Sequence, residues 1–351
     1  MNQAPGHESR TTDVAIIGAG PVGLFSVFQC GMLGFHSTVI DVLDTAGGQC
    51  AALYPEKPIY DIPGYPSVMA MELIDRLLEQ AAPFNPTYRL GHPVLRLQPT
   101  RPRPDGGNDG WRLEMPGGEA VTARAVIIAG GTGAFGPVRL PLPGVEAFEG
   151  KSVFYLVRRK GDLAGKRVVI AGGGDSAVDW AIALAGIAAK VWVVHRRDKF
   201  RAAPESVRKM HELAASGAIE MVIPYQMSGL EGSGGQLTAV KVATLDGVER
   251  SLPADVVLAF FGLVNNLGPI AEWGIALDEH RHIAVRPETC ATNLPGVFAV
   301  GDIASYPGKL KLILSGFAEA AQAAHAIHPI LNPDKALHFE YSTSKGLPGA
   351  K

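Results

Sequence analysis

The sequence predicts an α/β chain of two units, each a parallel sheet flanked by helices, with one unit inserted into the other. Three observations carry this expectation. The chain has 351 residues, long for a single domain. A strand, glycine turn, helix and second strand occur in that order twice. Glycine, at 42 residues, makes up about 12% of the chain against a usual ~7%, an excess suited to turns and close backbone approach. Hydrophobic residues form 47% of the chain, which supports sizeable cores and excludes a disordered protein. The formal net charge of −2 argues against a protein-wide nucleic-acid or anionic-membrane surface.

The first repeat is DVAIIGAGPVGLFSVFQCGMLGFHSTVID, from Asp13 to Asp41, and the second is KRVVIAGGGDSAVDWAIALAGIAAKVWVVHRR, from Lys166 to Arg197. Each reads as a βαβ unit, which requires a parallel sheet with helices on its faces. Between them, residues 88–128 alternate and turn, and PTRPRPDGGNDG (99–110) reads as the tip of a β connection. EGSGGQ (231–236) separates further strand-like runs in the same way. AVIIAGGTGAFGP (125–137) and AFFGLVNNLGP (259–269) read as the two crossings between domains. LPGVFAV then reads as a strand leading to Gly301-Asp302 and a long Ala-rich helix near 312–328. The expected domains are therefore 1–130 with 262–351, and 131–261. No apolar run of eighteen residues is free of polar interruption, so no membrane-spanning helix is expected. MNQAPGHESR holds no apolar leader core, and Val14–Phe28 is better explained by its glycine pattern. Cys30, Cys50 and Cys290 are too few and too scattered for a disulfide framework or a zinc site. No metal site is expected, and the odd count fits a cytoplasmic protein.

Gly18, Gly20 and Gly23 form G-x-G-x-x-G directly after a strand and at the start of a helix. The first glycine permits a tight turn, the second lets backbone approach a pyrophosphate, and the third allows close helix–strand packing. The helix N-terminus offers free N–H groups to the anion. Asp41, at the end of the next strand and about 20 residues on, has the position of a ribose-binding acid. In the second repeat Gly172, Gly174 and Ala177 occupy the corresponding places, with alanine a permitted third residue. There the second strand ends in His195-Arg196-Arg197, which suits the 2′-phosphate of NADP, although HRRDKFR (195–201) also reads as a solvated basic turn. An acidic and a basic dinucleotide site on one chain imply FAD plus NADPH.

Five segments carry a family resemblance: GGQCAALYPEKPIYDIPGYP (47–66), GGGDSAVDW (172–180), HRRDKFRA (195–202), GDIASYPGKLKLILSGFAEA (301–320) and YSTS (341–344). With them the chain resembles the thioredoxin-reductase-like flavoproteins over essentially its whole length, and more closely the ferredoxin/flavodoxin–NADP+ reductases of that type. The resemblance implies two Rossmann-like, three-layer ββα domains, FAD on the discontinuous one and NADPH on the insert. For FAD it implies Gly18, Gly20, Gly23 and Asp41, with Gln49 and Tyr54 against the isoalloxazine and Val94 near the adenine. It further implies Phe135 in the first crossing, Asp302 on the flavin chain, or merely capping the following helix, and Thr343 in a tail that folds over the ring. Tyr54 on one ring face and Tyr341, from a partner subunit, on the other are the implied catalytic aromatics. For NADPH it implies Gly172, Gly174, Ala177, Arg196, Arg197 and Arg201.

One departure decides the expected chemistry. Thioredoxin reductases of this fold carry C-x-x-C shortly before the second glycine motif, whereas FYLVRRKGDLAGKRVVIAGGG (154–174) contains no cysteine. The expected activity is electron transfer between NADPH and ferredoxin or flavodoxin through FAD, in a homodimer. Two alternatives stay open: an NADPH-dependent flavin reductase (diaphorase) with another acceptor, and a non-catalytic FAD/NADP redox sensor. Arg158, Arg159, Lys160, Lys166 and Arg167, against Asp162 alone, form a local basic excess that would attract a small acidic carrier.

Overall fold

The computed structural model describes residues 10–101, 108–157, 159–278, 281–337 and 346–347. The chain divides into two compact units, Met1–Ala134 with Asn265–Lys351, and Phe135–Val264. The segments Ala134–Pro137 and Leu263–Asn266, where the chain passes between the units, are strands and pair as a two-stranded ribbon.

In the first unit the strand Arg10–Ile17 lies between Ser37–Asp41 and Ala120–Ile128, parallel to both, and Thr87–Leu90 extends the sheet beyond Ser37–Asp41. All five residues of Ser37–Asp41 are buried, as a parallel strand covered on both faces requires. Side chains alternate between two cores. Val14, Ile16, Val39, Ala125 and Ile127 pack with Val27, Cys30, Ala323, Ala324 and Ile327 from the helices Pro21–Met32 and Ile313–Leu331. Ala15, Ile40, Val126 and Ile128 point the other way, toward Trp111, Leu113, Trp273 and Ile283. Ala120–Ile128 serves two neighbours in sequence: residues 120–123 pair antiparallel with Trp111–Glu114, and residues 126–128 pair parallel with Val297–Ala299. Trp111–Glu114 continues antiparallel into Arg96–Pro99, so the expected turn at 99–110 is a hairpin connection, with 102–107 outside the described residues.

The long helix runs Ile313–Leu331, past the expected end near 328. Pro329 forfeits only its own N–H, and the N–H of Asn332 closes the last turn on His328 O at 2.8 Å. Arg124 then donates to Leu331 O at 2.6 Å and satisfies one of the terminal carbonyls.

The second unit repeats the plan. Val153–Phe154, Val256–Phe260, Arg167–Gly172, Lys190–Val194 and Glu220–Val222 form an all-parallel sheet in that order. The helices Asp175–Leu184 and Pro204–Ala215 cover one face through Ala177, Val178, Ala181, Leu184 and Met210. The antiparallel strands Gln226–Ser233, Gln236–Ala243 and Glu249–Pro253 cover the other through Leu237, Val240, Val242 and Leu252. Both units therefore place helices on one face of a parallel sheet and a small β-layer on the other. No helix among the described residues is long and apolar enough to cross a membrane.

Candidate functional site

The first glycine motif separates two kinds of glycine. Gly18 has φ +111°, and a β-carbon there would lie 2.3 Å from Ala129 O, so the turn itself demands glycine. A β-carbon on Gly23 would lie 1.9 Å from Gly18 O, so the helix sits directly on the turn. Gly20 is different: its nearest neighbour would be Gly48 Cα at 3.9 Å, ordinary contact with room to spare. The protein leaves open the position where a pyrophosphate would approach. Gly20 also precedes the helix Pro21–Met32, which starts with Pro21 and has no side-chain cap.

Asp41 ends its strand 9% exposed, with Oδ2 accepting the Ala19 N–H at 2.6 Å and Oδ1 accepting the Leu43 N–H at 2.8 Å. Burial pushes its carboxyl pKa up, and the backbone bonds oppose the rise. The acid thus braces the glycine turn, and its oxygens keep lone pairs for ribose hydroxyls. Gly47 N–H donates to Ala19 O at 2.8 Å, which draws the short helix Gly48–Leu53 onto the same loop. From that helix Gln49 donates through Nε2 to Thr132 Oγ1 at 2.8 Å. Tyr54 follows the helix, half-buried, with Cys50 Sγ 3.9 Å from its hydroxyl.

Asp302 sits in a tight turn, Gly301–Ile303, just after Val297–Ala299. Burial raises its carboxyl pKa, and its charge is felt at both Tyr54 and Cys50. It does not cap the long helix, whose N-cap is Leu312 without a side-chain bond. Val94 is 7% exposed among Ile40, Leu97 and Met115, so its side chain belongs to the core and only its backbone can face an adenine. Phe135 lies in the first crossing strand, with its side chain outside the described residues, as are Tyr341 and Thr343.

The second motif repeats the distinction. Gly172 has φ +151°, and a β-carbon would lie 2.5 Å from Phe260 O and 3.1 Å from Ala177 Cβ. Ala177 is fully buried, and a methyl is as much as the glycine beside it admits. Gly174 has nothing within 4 Å, a second open cradle. The basic segment is tied to this loop by Arg201 N–H donating to Gly173 O at 2.7 Å and Ala203 N–H donating to Asp175 Oδ1 at 2.9 Å. Arg196, Arg197 and Arg201 are exposed, and their side chains make no ion pair with a described residue. His195 packs on Gly173, where a β-carbon would lie 2.2 Å from its ring. Burial, and then the neighbouring arginines, lower its pKa and favour the neutral ring. Within each unit the glycine loop and its ribose-side residues therefore converge, and both cradles fit a dinucleotide.

The basic stretch 158–167 is less cationic than its composition. Arg167 is locked to Asp255 by Nη2–Oδ1 and Nε–Oδ2 bonds of 2.6 and 3.2 Å, and Arg159 pairs with Asp162 at 3.3 Å. Lys160 and Lys166 remain exposed, and Arg158 lies outside the described residues. The neutralising acid stands 88 positions away in sequence, so a local count misses it. Thr132 carries no motif signal, and Asp175, inside the second glycine motif, gains its role only from Ala203, 28 positions on.

A family model described as pyridine nucleotide-disulphide oxidoreductase matches residues 12–326. The chain is 60% identical over 337 residues to a ferredoxin–NADP reductase of Paramagnetospirillum magneticum, covering 96% of this chain and 98% of that protein. It is also 60% identical over 350 residues to one from Gluconacetobacter diazotrophicus, covering 99% of each. Among solved structures it is similar to T. acidophilum thioredoxin reductase, with TM-score 0.76, 27% identity, and coverage of 91% of this chain and 98% of that one. Lactococcus lactis thioredoxin reductase, with TM-score 0.75, 23% identity and coverage of 92% and 99%, shares the fold. Two glycine cradles on two three-layer units, a near-complete family match and near-complete relatives lead to one conclusion: the chain belongs to the pyridine nucleotide-disulphide oxidoreductase family.

Proposed function

We propose that this chain is an FAD-dependent ferredoxin–NADP reductase. The observation that carries the reading is the pair of open glycine cradles, one beside the carboxylate of Asp41 and one beside three exposed arginines, on a chain without C-x-x-C. Its similarity to proteins named ferredoxin–NADP reductase over nearly the full length of both supports it.

FAD binds on the unit made of both chain ends. Gly18, Gly20 and Gly23 cradle its pyrophosphate, Asp41 accepts ribose hydroxyls, and the Val94 backbone faces the adenine. Gln49, fixed by Thr132, and Tyr54, fixed at the end of its helix, lie against the isoalloxazine, and Asp302 holds the flavin chain. Thr343 and Tyr341 complete the site, Tyr341 from the partner in a homodimer, and Phe135 stands at the first crossing. NADPH binds on the inserted unit, with its pyrophosphate over Gly172, Gly174 and Ala177 and its 2′-phosphate on Arg196, Arg197 and Arg201. FAD supplies the coupling of a two-electron hydride donor to one-electron carriers. The three cysteines take no part: all are buried and unpaired, which also fits a cytoplasmic setting. The acceptor is a small acidic carrier, ferredoxin or flavodoxin, drawn by exposed lysines such as Lys160 and Lys166.

The test is NADPH oxidation by the purified holoenzyme with ferredoxin and, separately, with ferricyanide. Ferredoxin-dependent turnover that slows with added salt supports the reading. Turnover with ferricyanide alone points to a diaphorase with another acceptor, and none with either points to a sensor.

A further inference from the structure

One buried polar cluster lies behind the proposed flavin contacts and has no place in them. Glu319 projects from the long helix, 2% exposed, amid Ala320, Ala323 and Ala324. Its Oε2 accepts the Gly301 N–H at 2.7 Å, and its Oε1 accepts the Tyr306 hydroxyl at 2.7 Å and forms an ion pair with Lys309. The Lys309 side chain is only 6% exposed, with its ammonium 5.5 Å from the Tyr306 ring centroid. Gly316 lets the helix come this close: a β-carbon there would lie 3.3 Å from Gly301 Cα and 2.4 Å from Val22 Cγ2. The long helix is therefore packed against both the Gly301–Asp302 turn and the helix of the first glycine motif, and the pair reaches the turn from it.

A buried ion pair is a weak source of stability, since desolvation offsets much of its attraction. This pair is placed to do something more specific. Glu319 fixes the Gly301 N–H and so the direction of Asp302, and Lys309 cancels the charge that this anchor brings. The field of both reaches the site: at Asp302, burial raises the carboxyl pKa, Lys309 opposes the rise and Glu319 adds to it.

We propose that Lys309 and Glu319 are positioning residues for the flavin, a charge-balanced anchor that aims Asp302 at the flavin chain while holding the net buried charge behind the Gly301–Asp302 turn at zero. The inference rests on the reading that the Gly301–Asp302 turn contacts FAD. Two-electron reduction with uptake of one proton leaves the flavin ring an anion deprotonated at N1, so an unpaired charge near it shifts the midpoint potential with the sign of that charge.

The experiment is a redox titration of the FAD-loaded protein, with FAD affinity measured in parallel. Titrated beside wild type at pH 8, where reduced flavin is an anion, Glu319→Gln raises the potential and Lys309→Met lowers it. Lys309→Arg and the double variant Lys309→Met/Glu319→Gln, which leave no orphaned charge, keep the wild-type potential. The double variant, with its anchor on Gly301 weakened, raises the FAD dissociation constant about tenfold. Should a single variant fail to fold, the other single variant against the double one still reads the sign. Single variants that shift in the same direction, or not at all, overturn the proposal and leave the pair a packing feature. Asp302→Ala separates the two readings. If it binds FAD as wild type does, the Gly301–Asp302 contact itself is wrong. If it loses FAD affinity tenfold while the pair variants show no opposed shifts, only the charge-balance inference falls.

Discussion

Alanine at Gly20 and alanine at Gly23 are expected to damage the protein in opposite ways. A β-carbon at Gly23 would lie 1.9 Å from Gly18 O, more than an ångström inside the 3.0 Å below which real contacts are essentially never found. The obstacle is backbone and cannot swing aside, so the helix Pro21–Met32 must lift from the turn. Overpacking of this kind costs about 1–3 kcal/mol, and at roughly 2–4 °C per kcal/mol for a unit of this size the thermal midpoint falls by about 2–12 °C. Gly20 has φ −73° and ψ −179°, which any residue adopts, and 3.9 Å of clearance. Gly20→Ala therefore folds as wild type does, and reduced freedom of the unfolded chain adds about 0.4–1 kcal/mol. Its methyl, however, fills the opening where the pyrophosphate approaches, and FAD affinity falls at least tenfold, about 1.4 kcal/mol. Flavin-stripped protein is assayed by thermal unfolding and then titrated with FAD by fluorescence quenching. A Gly20→Ala protein that binds FAD as tightly as wild type, or that is as destabilised without flavin as Gly23→Ala, would refute the division of roles. The same contrast holds in the inserted unit, between open Gly174 and Gly172 with φ +151°.

Replacing Arg196 and Arg197 together by Ala should raise KM for NADPH at least tenfold, because charge-assisted bonds to one phosphate are lost. KM for NADH should change about twofold or less, and equal rises for both nucleotides would remove the 2′-phosphate from this loop. Changing Cys30, Cys50 and Cys290 to Ala should leave NADPH–ferredoxin turnover within about threefold of wild type. Burial pushes these thiols up to about 12, 11 and 12, so none supplies a thiolate near neutral pH. A hundredfold loss in a folded, FAD-loaded triple variant would restore a thiol to the mechanism. Deleting the chain from Tyr341 onward should leave an FAD-binding protein whose flavin is reduced by NADPH at a changed rate and reacts faster with oxygen. Stopped-flow reduction and oxygen uptake that both match the full-length protein would make the tail a bystander.

The features legible in the sequence are local in origin. Strand, glycine turn and helix are set by neighbours within a few residues, so Gly18-x-Gly20-x-x-Gly23 and its second copy are legible as tight turns into a helix without coordinates. Asp41 and Arg196-Arg197 were legible because each stands at the end of the strand that follows its cradle, a spacing fixed by the length of one βαβ unit. The missing C-x-x-C was legible because a dithiol motif is itself local. The tertiary structure alone decided what depends on distant partners. A lone glutamate in an Ala-rich helix reads as a solubilising residue, and only folding brings Glu319 to the N–H of Gly301, 18 positions earlier. Arg167 reads as free charge until Asp255 closes on it, and Gln49 finds Thr132 across 83 positions. The division of Ala120–Ile128 between an antiparallel hairpin and a parallel strand is likewise invisible in its sequence, AVTARAVII. For Glu319 the deciding energy is a buried bond, where an unpaired group is expensive, and for Arg167 and Gln49 a partly exposed one; each time the partner comes from elsewhere in the chain.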